Sequence, residues 1–490
     1  MTPTPMCRGR RPAVALELMV LLALVLGLLA GCSTPQADTP PAPLPALPAA
    51  WQSPVPWVQA RPAGHLDKGR WWSVFCDADL DALIAEGQRS SPTLDIVAAR
   101  LKQAQAATQF ARAALLPRVD ASLRSARQQT SANRPAASYG AQPASTVQND
   151  STLGASVSYE LDLFGRIADD AASALAGERQ AQADLANARL VLAADLATAY
   201  FALRQVDAEI AVVAQSIEAQ ASTVELLRTR HEKGAASALD VLQQQAQLDG
   251  TRTQLALLQR QRPLVEHALA TLSGRPASAF RLPPNAAWHL APPAVPPALP
   301  AEALQRRPDI ASAQQAVAAA NAQIGVARAA FYPSLVLRAN AGYESRQWSA
   351  LLDGPSLLWS LGLDAVQALF DGGRNQARLA SVRAAHEAAS AAYRLTVLRA
   401  LQEAEDALSS LDALAGAAHA AQAAEASAGQ ALEIAQARYA GGLASHLEVL
   451  TAQQSLLNSR RQAAQINGQQ LAASVLLVKA LGGGWQAEAP

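Results

Sequence analysis

Two hydrophobic periods divide this chain. Along residues 166–233, apolar side chains return every seventh position in two interleaved series. One runs Leu185, Leu192, Ala199, Val206, Val213, Gln220, Leu227; the other runs Arg189, Leu196, Leu203, Ile210, Ile217, Val224, His231. Eleven of the fourteen are apolar, and the stretch holds no Pro and one Gly, Gly177. A strict seven-residue seam predicts a long helix supercoiled left-handedly against its neighbours. From Arg166 to Arg230 such a helix rises about 100 Å. That length suits a span between two membranes rather than a compact domain.

Elsewhere the period is two. In 152–163, Leu153, Ala155, Val157, Tyr159, Leu161 and Leu163 alternate with Thr152, Gly154, Ser156, Ser158, Glu160 and Asp162. Leu335, Leu337, Ala339, Ala341 and Tyr343 alternate in 334–343, with Val336 the exception. Trp359, Leu361, Leu363 and Ala365 repeat the pattern, and Val119, Ala121 and Leu123 do so more weakly. These predict four strands, two in each half of the chain, joined by polar loops at about 127–150 and 344–356. A single such strand fits an amphipathic hairpin in a soluble domain as well as a lipid-facing barrel. Four of them bounded by long helices favour the barrel. About eight strands are the fewest that close one, and an open edge in lipid leaves backbone groups unpaired, so the chain must oligomerise. Two copies would give a barrel filled by side chains; three would leave a lumen. The fold class is thus mainly α with a transmembrane β part.

The chain is one unit written twice. ARAALLP at 111–117 returns as ARAAFYP at 327–333, an offset of 216. Leu163-Phe164-Gly165-Arg166 is answered by Leu369-Phe370-Asp371-Gly372-Gly373-Arg374, with the arginines 208 apart. RHEKGAASALDVLQQQAQL at 230–248 matches RYAGGLASHLEVLTAQQSL at 438–456 at nine of nineteen positions, again 208 apart. The change of offset places extra residues between the Pro and the Gly-Arg motif of the first half. By contrast Arg166–Arg230 and Arg374–Arg438 are both 64 residues, so the long helix is held to one length like a strut. Pro-rich 276–300 separates a first repeat, 65–275, from a second, 301–484, with a short tail at 485–490.

Composition sharpens this picture. Ala makes up nearly a quarter of the chain and aromatics only 4%, as closely packed helices require. Forty basic and forty acidic residues give no electrostatic case for a nucleic-acid partner. Arg8, Arg10 and Arg11 precede an apolar run from Leu18 to Ala30, which reads as a signal segment over 1–31. It ends in Leu29-Ala30-Gly31-Cys32, which resembles a bacterial lipobox and makes Cys32 the lipidation site. A short transmembrane helix is the competing reading, but the run falls short of the ~20 residues a span needs. Ser33 in place of Asp points to the outer membrane, and Pro-rich 32–64 is an extended tether. Cys76 alone remains free, which excludes a disulfide framework or Cys-based metal site; it is expected to be a small buried side chain.

The order helix, Pro, strand, strand, Gly-Arg, long helix, Gly-containing turn, helix, given twice, resembles the TolC-like outer-membrane efflux family. ELDLFGR at 160–166, RRPDI at 306–310 and LFDGGR at 369–374 carry the likeness, and Trp71-Trp72-Ser73-Val74-Phe75 with the lipobox resembles its NodT-type lipoprotein branch. The resemblance covers about residues 65–484. It implies a homotrimer in which long coiled-coil hairpins form a periplasmic α-barrel and four strands per chain build a 12-stranded β-barrel. It also implies two partners at the tunnel's tip, a periplasmic adaptor (membrane fusion protein) and an inner-membrane proton-driven pump. Within this chain the tip turns would be Arg230, Gly234 and Leu239 in the first repeat, and Arg438, Tyr439 and Gly442 in the second. Leu447 matches a hydrophobic constriction of relatives, with a coiled-coil core position as the other reading. Some relatives carry an Asp and an Arg just beyond it where this chain has Thr451 and Gln454, so neutral hydrogen bonds are expected in place of an ion-paired gate.

Pro92 and Pro308 are expected at first helical positions, Pro117 and Pro333 as helix stops, and Gly165 and Gly372-Gly373 as sharp strand-to-helix turns. The seven His show no paired-ligand spacing, and there is neither a P-loop nor a Gly-x-Ser-x-Gly. No catalytic residue, metal or cofactor is expected, and energy for transport must come from a partner. A periplasm-spanning coiled-coil lipoprotein without a pore is the second reading; it leaves the alternating strands unexplained. Whether the cargo is drug, metal or protein stays open.

Overall fold

The computed structural model describes residues 70–132, 145–285, 288, 290–293 and 306–483. Cys32, the signal segment, the tether and the tail lie outside them. Each repeat contributes a short helix, two strands, a very long helix and a shorter one. The first has α1 (Ala78–Ser90), α2 (Pro92–Ala113), β1 (Arg118–Thr130), β2 (Thr146–Leu161), α3 (Arg166–Glu232) and α4 (Ala238–Leu272). The second has α5 (Pro308–Ala329), β3 (Ser334–Ser345), β4 (Leu357–Val366), α6 (Arg374–Ala440) and α7 (His446–Ala480). Both long helices have 67 residues and both return helices 35, so the fixed strut length of the sequence is a fixed helix length.

The helix boundaries follow from local chemistry. Pro92 and Pro308 open α2 and α5, where a missing amide costs nothing. The expectation that Pro117 and Pro333 stop these helices needs correction. The helices end at Ala113 and Ala329 and unwind through i→i+3 turns such as Leu115 N to Arg112 O (3.0 Å) and Tyr332 N to Ala329 O (3.1 Å). Each Pro then stands immediately before a strand. Gly165 (φ 74°), Gly372 (φ 65°) and Gly373 (φ 87°) make the strand-to-helix turns in the left-handed region.

The chain divides into two compact units. One comprises described residues 103–178 and 315–390 and holds the sheet, in the order β1-β2-β3-β4, with every neighbour antiparallel. Two strands exceed their sequence signal. β1 pairs with β2 from Arg118↔Ser158 to Thr130↔Thr146, which shortens the expected 127–150 loop from both sides. Residues 124–130 lack alternation and are held by the backbone ladder instead.

The other unit, described residues from 70 to 102, 179 to 314 and 391 to 483, carries the hydrophobic core. Leu192, Leu196, Leu203, Val206, Val213, Val224 and Leu227 of the seam are buried, while Arg189 and His231 at its ends are exposed. Trp71, Phe75, Tyr200, Phe201, Leu269 and Leu471 gather with Leu192, Leu196 and Leu203, Phe75 and Phe201 at 4.9 Å between ring centroids. Asp77 caps α1 through Leu80 N and accepts from Tyr200 Oη (2.8 Å) and Trp288 Nε1 (2.9 Å), which satisfies both aromatic donors. Arg307 of RRPDI lies buried, donating to the Ala480 carbonyl at the end of α7 (2.9 Å) and to Asp309 and Glu403 (both 2.8 Å). One side chain thereby closes an orphan helix carbonyl and joins three elements. Cys76 corrects the sequence expectation: it is exposed, because it is the left-handed residue (φ 51°) that ends the 3-10 turn Trp71–Phe75.

Candidate functional site

The sheet is the first functional surface. Its register stacks odd-numbered residues of all strands on one face: Leu123–Leu153–Tyr343–Leu357, then Ala121–Ala155–Ala341–Trp359, then Val119–Val157–Ala339–Leu361. Tyr159–Leu337–Leu363 and Leu161–Leu335–Ala365 continue it. Beyond the Leu123 row the same face turns polar, with Ser125, Ser151 and Ser345. Five apolar rows cover about 27 Å along the strands, or about 20 Å after the usual tilt, close to the apolar band of an outer-membrane barrel. Val119, Trp359, Leu361 and Leu363 on this face are exposed in the single chain. The opposite face is polar, with Arg338 paired to Asp364 (2.8 Å) and Asn340 Nδ2 donating to Ser360 Oγ (3.2 Å). Apolar outside and polar inside is the alternation of a water-filled barrel. No helix among the described residues is long and apolar enough to cross a membrane.

The second surface is the pair of hairpin turns. After α3, Ala235 N bonds to Arg230 O (2.7 Å) and Gly234 N to His231 O (2.9 Å); after α6, Leu443 N bonds to Arg438 O (2.8 Å) and Gly442 N to Tyr439 O (3.1 Å). Both are Schellman turns, and Gly234 (φ 75°) and Gly442 (φ 74°) take the left-handed position such turns demand. The repeats then diverge. Ser237 closes a reciprocal capping box with Asp240, whereas Ser445 makes no side-chain cap. Glu448, the counterpart of Asp240, pairs with Arg438 at 3.5 Å instead.

Most of the residues singled out in the sequence meet here. Arg230 stands over the Tyr439 ring at 5.7 Å, and Tyr439 packs on His446 at 5.2 Å. Leu239 and Leu447 are 62% and 58% exposed, so neither is core of its own hairpin. Thr451 turns its hydroxyl back to the Leu447 carbonyl (2.8 Å). Gln454 accepts from Gln247 across the two hairpins and donates to Asn458 Oδ1 (2.9 Å).

Sequence reasoning missed the rest of that seam. His446 is 2% exposed, with Nε2 3.0 Å from Gln244 Oε1, and Gln244 in turn donates to Gln453 (3.4 Å). The buried Nδ1 of His446 has no hydrogen-bond partner. The signal was present: at the offset of 208, His446 corresponds to Ala238 of the first repeat. Burial holds the imidazole below its ordinary range, against the pull of the Asp240 carboxylate.

That shift has a sign. A base with its folded pKa lowered binds fewer protons folded than unfolded, so stability is complete above the unfolded value and is lost as pH falls below about 6.5. Thermal unfolding of the detergent-solubilised protein between pH 8 and pH 5 is expected to show this loss. His446→Gln, which keeps a neutral donor to Gln244, should flatten the acid limb; an unchanged limb would exclude His446 as its source.

An amphipathic sheet with two open edges, joined to paired 67- and 35-residue helices, defines a subunit of an outer-membrane channel with a helical barrel. The chain belongs to the outer membrane efflux protein family, whose model matches residues 83–275 and 299–483. It is 33% identical over 472 residues to the pyoverdine export outer membrane protein OpmQ of Pseudomonas putida, covering 96% of this chain and 98% of that one. It is 34% identical to the outer membrane protein OprJ of Pseudomonas aeruginosa, with 97% of each covered. Among solved structures, VceC of Vibrio cholerae superposes with a TM-score of 0.78 at 30% identity, over 85% of this chain and 99% of that one. A membrane protein from Pseudomonas aeruginosa gives a TM-score of 0.81 at 31% identity, over 91% and 100%. The chain is therefore the outer-membrane channel component of an efflux or export system, and its family is one of transport channels.

Proposed function

We propose that this channel is a homotrimer, anchored through a lipid on Cys32, that passes small molecules delivered by a periplasmic adaptor and a proton-driven inner-membrane pump. One observation carries the reading. The sheet has four strands, two unpaired edges and one apolar face, so closure in lipid needs further copies, and three give twelve strands with a lumen. Small-molecule cargo is favoured by the relatives' names, which include pyoverdine export, toluene efflux and antibiotic efflux. The turns at Gly234 and Gly442 are the tip that meets the partners, and Leu447, Thr451 and Gln454 form the gate. Expression in a strain stripped of its own outer-membrane efflux channels tests this. Restored resistance to toluene or antibiotics, together with an oligomer that resists SDS until heated, is the expected result. An oligomer with no restored export would leave the pore-free tether.

The anchor has its own test. Cys32→Ser is expected to abolish palmitate labelling and leave an uncleaved precursor, while part of the export survives because the barrel also holds the membrane. Labelling that persists in the variant would remove Cys32 as the lipidated residue.

A further inference from the structure

The two hairpins are fastened at their turns by different chemistry. In the first, Ser237 and Asp240 close a reciprocal capping box over the start of α4. In the second, Ser445 makes no side-chain cap, and Glu448 reaches Arg438 at 3.5 Å with both side chains about half exposed. So exposed a pair adds little hold.

The first residue of α7 is held instead from across the seam. His446 is buried, and its Nε2 meets Oε1 of the equally buried Gln244 at 3.0 Å. Gln244 donates its amide hydrogen to Gln453 Oε1 (3.4 Å), which leaves its own Oε1 as the group facing His446. Nε2 therefore carries the imidazole hydrogen, and the buried Nδ1 keeps a lone pair with no partner among the described residues. At the offset of 208 the first repeat has Ala238 here, so its hairpin has no such tie to offer.

A proton added to that ring has to sit on Nδ1, which no acceptor faces. Burial and the positive end of α7 both oppose a cation there. The charges around the ring divide. On α4 the Asp240 carboxylate favours the imidazolium, but it already accepts from Ser237 N (3.2 Å). On α6 Tyr439 packs on His446 at 5.2 Å, and its neighbour Arg438 is paired with Glu448 of α7. On α3 Arg230 stands over the Tyr439 ring at 5.7 Å, and His231 holds Nδ1 2.9 Å from the Ala236 carbonyl. Burial outweighs Asp240, and the folded protein keeps His446 neutral.

We propose that His446 is an acid-released latch: protonation at Nδ1 drives the imidazolium out of the seam, breaks its bond to Gln244 and frees the first turn of α7 from the first hairpin. The proton comes from the surrounding water and returns to it, so the latch resets as pH rises. The sign follows from the neutral ring: the latch is closed above about pH 6.5 and released below it. The pairs Gln244–Gln453 and Gln247–Gln454 are amides and carry no proton switch of their own. Any consequence for conductance rests on the reading of these turns as the gated tip.

A nitroxide on Ser445→Cys, in full-length protein carrying Cys76→Ser, reads the latch without using the gate. Ser445 is exposed and lies beside His446. Its spin-resonance line shape is expected to be restrained at pH 8 and to gain a mobile component by pH 5, reversibly. His446→Gln, which keeps a neutral donor to Gln244, should stay restrained at both, with its SDS-resistant oligomer at pH 8 showing that it folds. His446→Ala, which copies the first repeat, should be mobile at both, and His231→Gln should respond like wild type. Single-channel conductance over the same range should rise in acid, and not in His446→Gln. A label that loosens in acid only with His446 present, in a channel of constant conductance, keeps the latch and removes the gate from these turns. A label as restrained at pH 5 as at pH 8 in the wild type, or a mobile component that persists in His446→Gln, overturns the latch.

Discussion

Shortening one hairpin by a single heptad on each arm is expected to abolish trimer assembly and export, and the same shortening of both hairpins to restore assembly. The deletion belongs between two ties that hold the first hairpin in register, Asp207 to Arg262 (2.7 Å) and Arg228 to Gln245 (3.0 Å). Seven residues taken from each arm keep the heptad phase and withdraw the turn at Gly234 by about 10 Å. The second hairpin then has no partner at its own level. Gln244 no longer reaches His446, nor Gln247 reach Gln454, and the buried Gln244 amide loses its mate at a cost of roughly 1–3 kcal/mol. The matched deletion in α6 and α7 brings those groups level again. Unheated gels of outer-membrane fractions and drug susceptibility measure the outcome. A singly shortened protein that assembles and exports like wild type would show that hairpin length is not what the matched 67- and 35-residue helices serve.

The features legible in the sequence are those with a long period or a unique backbone demand. The seven-residue seam names its buried residues from Leu192 to Leu227 because one helix face repeats the same contact many times. Gly234 and Gly442 mark the turns because the left-handed position excludes most side chains. The strands are legible only where one face meets an apolar medium. Alternation from Val119 to Leu123 gives way to Ser125-Ala126-Arg127, yet β1 continues to Thr130, since a backbone ladder carries no side-chain code. The exposure of Cys76 is not legible, because composition says nothing of the turn that leaves it outside.

The proposed gate region is legible as a place and not as a mechanism. The family resemblance and the repeated Gly turns single out Arg230, Tyr439, Leu447, Thr451 and Gln454. The contacts that join the hairpins lie in residues with no motif of their own, Gln244, Gln247, Gln453 and His446. A Gln in a heptad is ordinarily a solvated position, and only the fold brings these amides face to face. Alignment of the two repeats holds the one clue, since His446 stands where its counterpart is Ala238.

Leu447→Ala is expected to open the closed channel. Leu447 projects from the first turn of α7, more than half exposed, beside a groove formed with Ile434 and Ala435 of α6. In the proposed trimer three copies would form one narrow apolar ring, and such a ring excludes ions by dewetting. Trimming it to methyl widens the constriction, while fold stability changes little because so exposed a side chain adds little packing. Single-channel conductance in planar bilayers should rise, and cells should become sensitive to large antibiotics such as vancomycin. Leu239→Ala in the first hairpin should do less where only the second hairpin bends inward to close the tunnel. Salt supplies the last discrimination. The ties from Gln244 to Gln454 are neutral amides and an imidazole, so the closed state should hold from low to high ionic strength, where an ion-paired gate would loosen. A Leu447→Ala channel as closed as wild type, at any salt, would take the constriction away from this residue and leave the amide seam as the barrier.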